Sequence, residues 1–215
     1  MSAATPLLDE AEEDAFKELY SLSFGKAAST LSEMLDTEVF LSLPQFSMLS
    51  RQSLVEYVRS LHGSLVNLVS MPYRFVFSPD DTIPGMAVLL IRSSAVASFL
   101  EALYGTPMPE DMANIVEAEA MSLTGDVLLY TCVSSLSAFF SSEIDSEKPK
   151  FFKGIPDDLP GHLAFVDAPD QLLLLRVDFH LQDREVAGSL LTWMDGDKVP
   201  CLRTEIAHFM RQYMT

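Results

Sequence analysis

The sequence predicts an α+β domain made of two similar halves, in which two long helices pack on a shared, mainly antiparallel β-sheet. The first observation behind this prediction is a repeat at an offset of 105 residues. Residues 19–22 align with 124–127, and the serine-rich segment 29–32 aligns with 134–137, without a gap. A register shared by apolar and small polar positions indicates a duplicated unit.

Two prolines extend the same register. The segment Pro-Gln-Phe at 44–46 falls on Pro-Lys-Phe at 149–151. Two copies are too few for a solenoid, so we expect one pseudo-twofold symmetric domain over residues 1–215, with halves at about 9–105 and 109–214.

The amino-acid composition and net charge indicate which classes of molecule this protein can bind. The 215 residues are 48% hydrophobic, enough for a substantial single core. The net charge is −17, from 14 basic and 31 acidic residues. Since nucleic acids are gripped through Lys and Arg, we expect no nucleic-acid partner.

The chain shows no signal for a membrane or for disulfides. No basic segment followed by an apolar run opens the sequence, and the most apolar stretches, 86–91 and 172–175, are too short to span a bilayer. We therefore expect a cytoplasmic protein without membrane insertion. Cys132 and Cys201 lie in apolar surroundings, which predicts reduced thiols in the core.

The first half begins with a long helix. The acidic run 9–14 suits a helix N-terminus or, equally well, a solvated charged turn, and the helix should continue to about Leu35. The residues predicted to face the core are Phe16, Tyr20, Ala27, Leu31 and Met34. The residues predicted to form the opposite, exposed side are Asp14, Glu18, Ser21 and Gly25.

The rest of the first half alternates strands and short helices. A strand at 39–43 should end at Pro44, which lacks the N–H that a central strand needs. Later elements are a short helix at 53–61, strands within 66–77 and at 86–92 around a turn at 78–85, and a helix from an N-cap at Ser93 to Tyr104, stopped by Gly105.

The second half repeats this order. It begins with a helix from 109 to about Phe140. Its predicted buried side is Met121, Gly125, Cys132, Leu136 and Phe139, and its opposite side is Glu119, Leu123, Asp126 and Tyr130. Later elements are a strand at 144–152 interrupted by Pro149, an irregular loop at 154–161, strands at 172–182 and 186–194, and a helix at 198–213 with Pro200 in its first turn.

Motifs for cofactor or metal chemistry are absent from the sequence. Gly25-Lys26 is followed by Ala27, which excludes a P-loop. The four histidines, His62, His162, His180 and His208, are scattered without ligand spacing, so we expect neither metal nor cofactor. We interpret His180 as a satisfied edge-strand histidine in preference to a functional one, and Trp193 as a core or interface residue.

The exposed sides of the two long helices resemble the CheC/CheX/FliY family of chemotaxis phosphatases. The signature of that family is an acidic residue or Ser, three residues, Glu, two residues, Asn and, further along, a proline; CheC carries it twice. The first copy here reads Asp14, Glu18, Ser21, Pro44, and the second reads Glu119, Leu123, Asp126, Pro149. The resemblance covers the whole chain in length, element order and repeat.

The resemblance implies a CheC-like fold and a partner, a phosphorylated CheY-type response regulator. In the family, the Asn carboxamide orients the water that hydrolyses the aspartyl phosphate, and the Glu pairs with the regulator's active-site lysine. The contribution of such a protein is positioning and electrostatics. An i, i+3 spacing lets one helix face insert both groups together.

This sequence departs from the pattern at both asparagines. Ser21 has a shorter reach than a carboxamide, and a misplacement of about 1 Å can cost on the order of a hundredfold in rate. In the second copy, Leu123 cannot pair with a lysine, and Asp126 brings an anion towards a phosphoryl group. A role as ordinary exposed helix residues stays open for Ser21 and is favoured for Asp126.

The resemblance thus implies catalytic positions at Glu18 and Ser21, a degenerate one at Asp126, and partner contacts from Asp14, Glu18, Gly25, Glu119 and Leu123. Three functions follow. The first is a slow phosphatase for a CheY-type regulator. The second is a non-catalytic module that binds a regulator or a CheD-like deamidase. The third is a structural component like the FliM middle domain of the flagellar switch.

Overall fold

The structure is a computed structural model that describes residues 9–163, 170–182 and 184–213. The described helices are α1 Glu10–Leu35, α2 Leu54–His62, α3 Val96–Tyr104, α4 Glu110–Phe139, α5 Leu159–His162 and α6 Val199–Tyr213. The described strands are β1 Val39–Leu41, β2 Gln45–Ser50, β3 Val66–Ser78, β4 Asp81–Arg92, β5 Glu143–Ser146, β6 Lys150–Gly154, β7 Gln171–Leu181 and β8 Ala187–Asp195.

The eight strands form one antiparallel sheet in the order β1-β7-β8-β4-β3-β5. β2 also pairs with β7, and β6 also pairs with β3. At the centre β4 pairs with β8, from Gly85 opposite Met194 to Ile91 opposite Gly188. Exchanging β1–β4 with β5–β8 reproduces the same pairings, so the sheet has pseudo-twofold topology and the predicted fold class is confirmed. The domain boundaries at about 9–105 and 109–214 stay a prediction.

The two faces of the sheet carry different helices, because side chains alternate along each strand. Ala87, Leu89 and Ile91 of β4 join the larger cluster, which also holds the buried sides of α1, α3, α4 and α6. Val88 and Leu90 point the other way, into a smaller cluster with α2 and α5. The long helices therefore cover one face, and α2 and α5 lie on the opposite face.

The predicted core-facing sides of the long helices are largely confirmed. In α1, Phe16, Tyr20, Ala27 and Leu31 are buried. Met34 is only half-buried, and Leu35 takes its place in the core. In α4, four of the five predicted residues are buried, namely Met121, Gly125, Cys132 and Leu136, while Phe139 is half-buried.

The end of the first strand differs from the prediction. The chain continues past Pro44 into β2, in which Phe46 pairs with Leu175 of β7. Pro44 lies between β1 and β2 and so removes no hydrogen bond from either strand. Pro149 separates β5 from β6 in the same way, as predicted.

Three other boundaries were wrong. Ser93 does not cap α3: it begins a 3₁₀ turn, and its hydroxyl accepts a hydrogen bond from Asn67 Nδ2 at 2.9 Å. The predicted turn at 78–85 is mostly strand, because β4 begins at Asp81. The predicted loop at 154–161 contains a 3₁₀ turn and α5, whose Pro160 lies in the first turn, where a missing N–H costs nothing.

His180 was also misread. Its strand β7 is not an edge, since it pairs with β1 and β2 on one side and β8 on the other. The His180 side chain is exposed and stacks on Phe40 at 5.2 Å between ring centroids. Trp193 is a core residue, 5% exposed. None of the helices in the described ranges is both long enough and apolar enough to cross a membrane.

Candidate functional site

The N-terminus of α1 is firmly held. Asp9 accepts a hydrogen bond from the Glu12 backbone N–H, and Glu12 Oε2 accepts one from the Asp9 backbone N–H, both at 2.8 Å. This reciprocal pair is a capping box. Glu12 Oε1 also accepts from Arg203 Nε of α6 at 2.8 Å. The turns that follow therefore start from a fixed end.

An aromatic cluster fixes the rotation of α1 on the sheet. The Phe16 ring lies 4.7 Å from Tyr20 and 5.0 Å from Phe46 of β2, measured between centroids. Phe16 and Tyr20 are fully buried. Burial of these rings dictates which side of α1 faces outward, and that side carries Glu18.

Glu18 is exposed and Ser21, one turn on, is half-exposed. Neither side chain makes a hydrogen bond or ion pair with any residue that the structure describes. Ser23 and Ser29 differ, since each donates its hydroxyl to the carbonyl four residues earlier. The structure thus brings Glu18 and Ser21 together on one helix face with their polar atoms available.

Asp14 belongs to the same side but has a partner. Its carboxylate lies 3.8 Å from Lys17 Nζ, which lies closer, at 2.7 Å, to Glu13. The hydrogen bond that Lys17 donates to Glu13 raises the pKa of Lys17. Exposed pairs of this kind contribute little to stability, so Asp14 stays accessible to a partner.

Gly25 continues this face without a packing reason to be glycine. A Cβ built at Gly25 would meet no atom within 4 Å. Gly125 of α4 is the opposite case, because a Cβ there would overlap the Val69 side chain of β3. Gly125 is therefore required by the fold, whereas Gly25 leaves open space on the outside of α1.

The second copy of the signature is also exposed. Glu119, Leu123 and Asp126 all lie on the outward side of α4, and Leu123 is 60% exposed. α1 and α4 pack against each other on the same face of the sheet. Their outward sides are therefore neighbouring parts of one surface, which we call the helix-pair surface.

The sequence reasoning missed how apolar this surface is. Beside Leu123 and Tyr130, α4 exposes three more apolar side chains, Met112, Ile115 and Val127, with Ile115 79% exposed. The segment Glu110–Phe139 contains no Lys, Arg or His. The sequence does show apolar residues at helical spacing on the side of α4 opposite the buried one. They were overlooked because the exposed side of an amphipathic helix is expected to be polar.

The chemistry open to the helix-pair surface is positioning. Cys132 of α4 is buried, and burial raises the pKa of its thiol, which disfavours the thiolate form that a nucleophile needs. No cluster of three His, Cys, Asp or Glu suited to a metal occurs in the described ranges. What remains is a carboxylate and a hydroxyl at i and i+3, held on a rigid helix.

Solved structures with a similar fold come from chemotaxis and the flagellar switch. FliY from Thermotoga maritima matches with a TM-score of 0.70 at 16% identity, over 95% of this chain and 100% of that one. The FliM–SpeE complex from H. pylori matches at a TM-score of 0.60 and 12% identity, over 97% and 100%. The CheX–CheY–BeF3–Mg complex from Borrelia burgdorferi matches at 0.52 and 15%, over 82% and 97%.

No protein-family model matches the sequence. The similarity therefore rests on the backbone, at identities that establish a fold and not an activity. It covers nearly the whole chain and includes the mixed α/β architecture with its antiparallel sheet. The chain thus has the CheC/CheX/FliY-type chemotaxis fold, which FliY, CheX and the FliM middle domain share.

Proposed function

We propose that this protein binds a phosphorylated CheY-type response regulator through the helix-pair surface and slowly promotes hydrolysis of its aspartyl phosphate. The observation that carries the proposal is the outward pair Glu18 and Ser21, one turn apart and without partners among the described residues. The similarity to a CheX solved in complex with CheY supports the class of partner.

In this mechanism the first copy supplies two contacts. The Glu18 carboxylate pairs with the regulator's active-site lysine, and the Ser21 hydroxyl hydrogen-bonds the attacking water. Hydrolysis needs that water in line with the scissile bond, so fixed geometry is the main contribution. A serine holds the water less well than a carboxamide because its oxygen lies nearer the helix, and the rate is accordingly low.

The second copy contributes binding and no chemistry. Leu123 offers no charge to a lysine, and the Asp126 carboxylate repels a phosphoryl group. Leu123 and its apolar neighbours on α4 instead offer an exposed apolar surface, and its burial by a partner favours binding. Partner contacts from Asp14, Gly25 and Glu119 complete the interface.

The decisive experiment follows acid-labile phosphate on several phosphorylated regulators with and without the protein. Ser21→Asn should raise the rate, since it restores the carboxamide at the water-positioning site. Ser29→Asn is the matched control, because Ser29 lies two turns along the same side of α1. Decay at the spontaneous rate with both the wild type and Ser21→Asn would remove the catalytic claim.

A second candidate is a non-catalytic module on the same fold, which docks a regulator or a CheD-like deamidase. It is favoured by the exposed apolar residues of α4 together with the loss of both signature asparagines. Calorimetry separates the two: saturable binding without turnover, unchanged in rate by Ser21→Asn, supports the module.

A third candidate is a structural component of the flagellar switch. A chain of the FliG–FliM complex from H. pylori matches at a TM-score of 0.52 and 12% identity, over 87% of this chain and 94% of that one. Co-sedimentation with flagellar basal bodies tests it. Absence from that fraction under conditions that retain FliM would eliminate it.

A further inference from the structure

A cleft on the face of the sheet opposite α1 and α4 is lined by basic side chains from distant parts of the chain. It has a volume of about 310 Å³ and lies where the ends of β4, β7 and β8 meet the C-terminus of α2. Its polar lining includes Arg92, Arg176, Asp178, His62 and Ser189. By strand alternation, Arg92, Arg176 and Ser189 lie on the face that carries α2, away from α1 and α4.

A continuous series of hydrogen bonds runs along one side of the cleft. The Arg176 Nε donates to Asp178 Oδ1 at 2.7 Å, and a second Arg176 nitrogen donates to Oδ2. Ser189 Oγ donates to Asp178 Oδ1 at 2.6 Å, and His62 Nε2 lies 3.0 Å from Ser189 Oγ. Since the serine proton goes to Asp178, His62 Nε2 is the donor to Ser189.

The His62 ring in this series of hydrogen bonds is neutral at pH 7. Burial and the nearby Arg92 lower the pKa of His62 to about 4. The lining then holds two guanidinium groups and one carboxylate, and the cleft carries net positive charge within a chain of net charge −17. A cationic cleft in an acidic protein is a local feature that needs its own explanation.

Arg92 is the cation left without an anion. Arg176 is neutralised by its two-point contact with Asp178, whereas Arg92 is exposed and makes no hydrogen bond or ion pair with a residue in the described ranges. A guanidinium presents its N–H groups in a planar fork that matches carboxylate and phosphate oxygens. Leu61 adds apolar surface to the lining.

We propose that this cleft binds a small organic anion, with its phosphate or carboxylate group on Arg92 and its compact body against Leu61. The volume lies at the lower end of the range for small-molecule pockets, which suits such a ligand. The site is distinct from the helix-pair surface, so the two can be tested separately.

The test uses the full chain and four probes followed by two-dimensional NMR or calorimetry at fixed ionic strength. The probes are phenyl phosphate, benzoate, inorganic phosphate and phenol, which separate the two head groups from the apolar body. We expect saturable binding of phenyl phosphate, benzoate or both, tighter than that of inorganic phosphate, and none of phenol. Which of the two binds identifies the head group.

Arg92→Gln should weaken binding of the preferred probe by about tenfold or more, because a charge-assisted hydrogen bond is lost. Arg74→Gln is the matched control, since Arg74 is an exposed strand arginine paired with Asp145 outside the cleft. Ser21→Asn should leave the affinity for the anion unchanged, because Ser21 lies on the helix-pair surface and not in the cleft. The proposal fails if no anion saturates within about 10 mM, or if Arg74→Gln weakens binding as much as Arg92→Gln does.

Discussion

Gly125 of α4 lies directly against Val69 of β3, so closely that a Cβ at position 125 would overlap the valine side chain. We predict that Gly125→Ala lowers the free energy of unfolding by about 1 to 3 kcal/mol, because α4 or Val69 must shift. Denaturant unfolding measures it. Unchanged stability would show that α4 lies further from the sheet than described.

Gly25→Ala should act in the opposite direction. The added methyl group meets no atom, and alanine is favoured over glycine inside a helix by about 1 kcal/mol. Unfolding should therefore occur at a higher denaturant concentration than in the wild type. A loss of stability would contradict the outward placement of Gly25.

The same variant tests the helix-pair surface. If a regulator approaches α1 closely over Gly25, the methyl group obstructs it and the regulator's dissociation constant rises although the protein is more stable. Ser29→Ala, further along that side, is the control and should leave binding unchanged. Equal affinity of Gly25→Ala and wild type would remove Gly25 from the proposed interface.

The apolar side chains of α4 should contribute to binding and not to folding. Leu123→Ser is expected to change stability by no more than about 0.5 kcal/mol, because the side chain is exposed. Its affinity for the regulator should fall by about tenfold or more if Leu123 is buried in the complex. Replacing the buried Leu128 instead should destabilise the protein, which confirms which side faces the core.

The free energy of unfolding should decrease as pH is lowered, over a pH range set by the pKa of His62. The folded protein holds the pKa of this ring at about 4, and the unfolded chain at about 6.5. The unfolded state therefore binds the proton first, and the contribution of His62 to stability is full above pH 6.5 and is lost as pH falls towards 4. Burial lowers the pKa of His162 too, which adds in the same direction.

Unfolding of the wild type and of His62→Gln, followed between pH 4 and pH 7.5, measures this contribution. The variant should show the shallower dependence on pH. Asp178 and Arg176 also face the ring, and the pKa of Asp178 lies below its usual value through its bonds to Arg176 and Ser189, so its own effect falls at more acidic pH. If stability depends on pH equally in the wild type and in His62→Gln, folding does not lower the pKa of His62.

How far the sequence alone predicted this structure depended on the range of the interactions involved. The long helices and both hairpins follow from local periodicity, and α1 ends at Leu35 as expected. The strand β2 was missed because its hydrogen bonds go to β7, far along the chain. Glu18 and Ser21 were proposed as site residues from spacing and resemblance, and their role stays a prediction; the structure shows that Glu18 is exposed and Ser21 half-exposed.

The sequence by itself determined the two-part order of elements, the acidic character and the positions that resemble a phosphatase signature, because all of these are read along the chain. Only the tertiary structure showed how apolar the outward side of α4 is, with Ile115 and Leu123 exposed. It also brought His62, Arg92 and Ser189 into one cleft. Contacts between residues so far apart depend on strand register, which no local pattern contains.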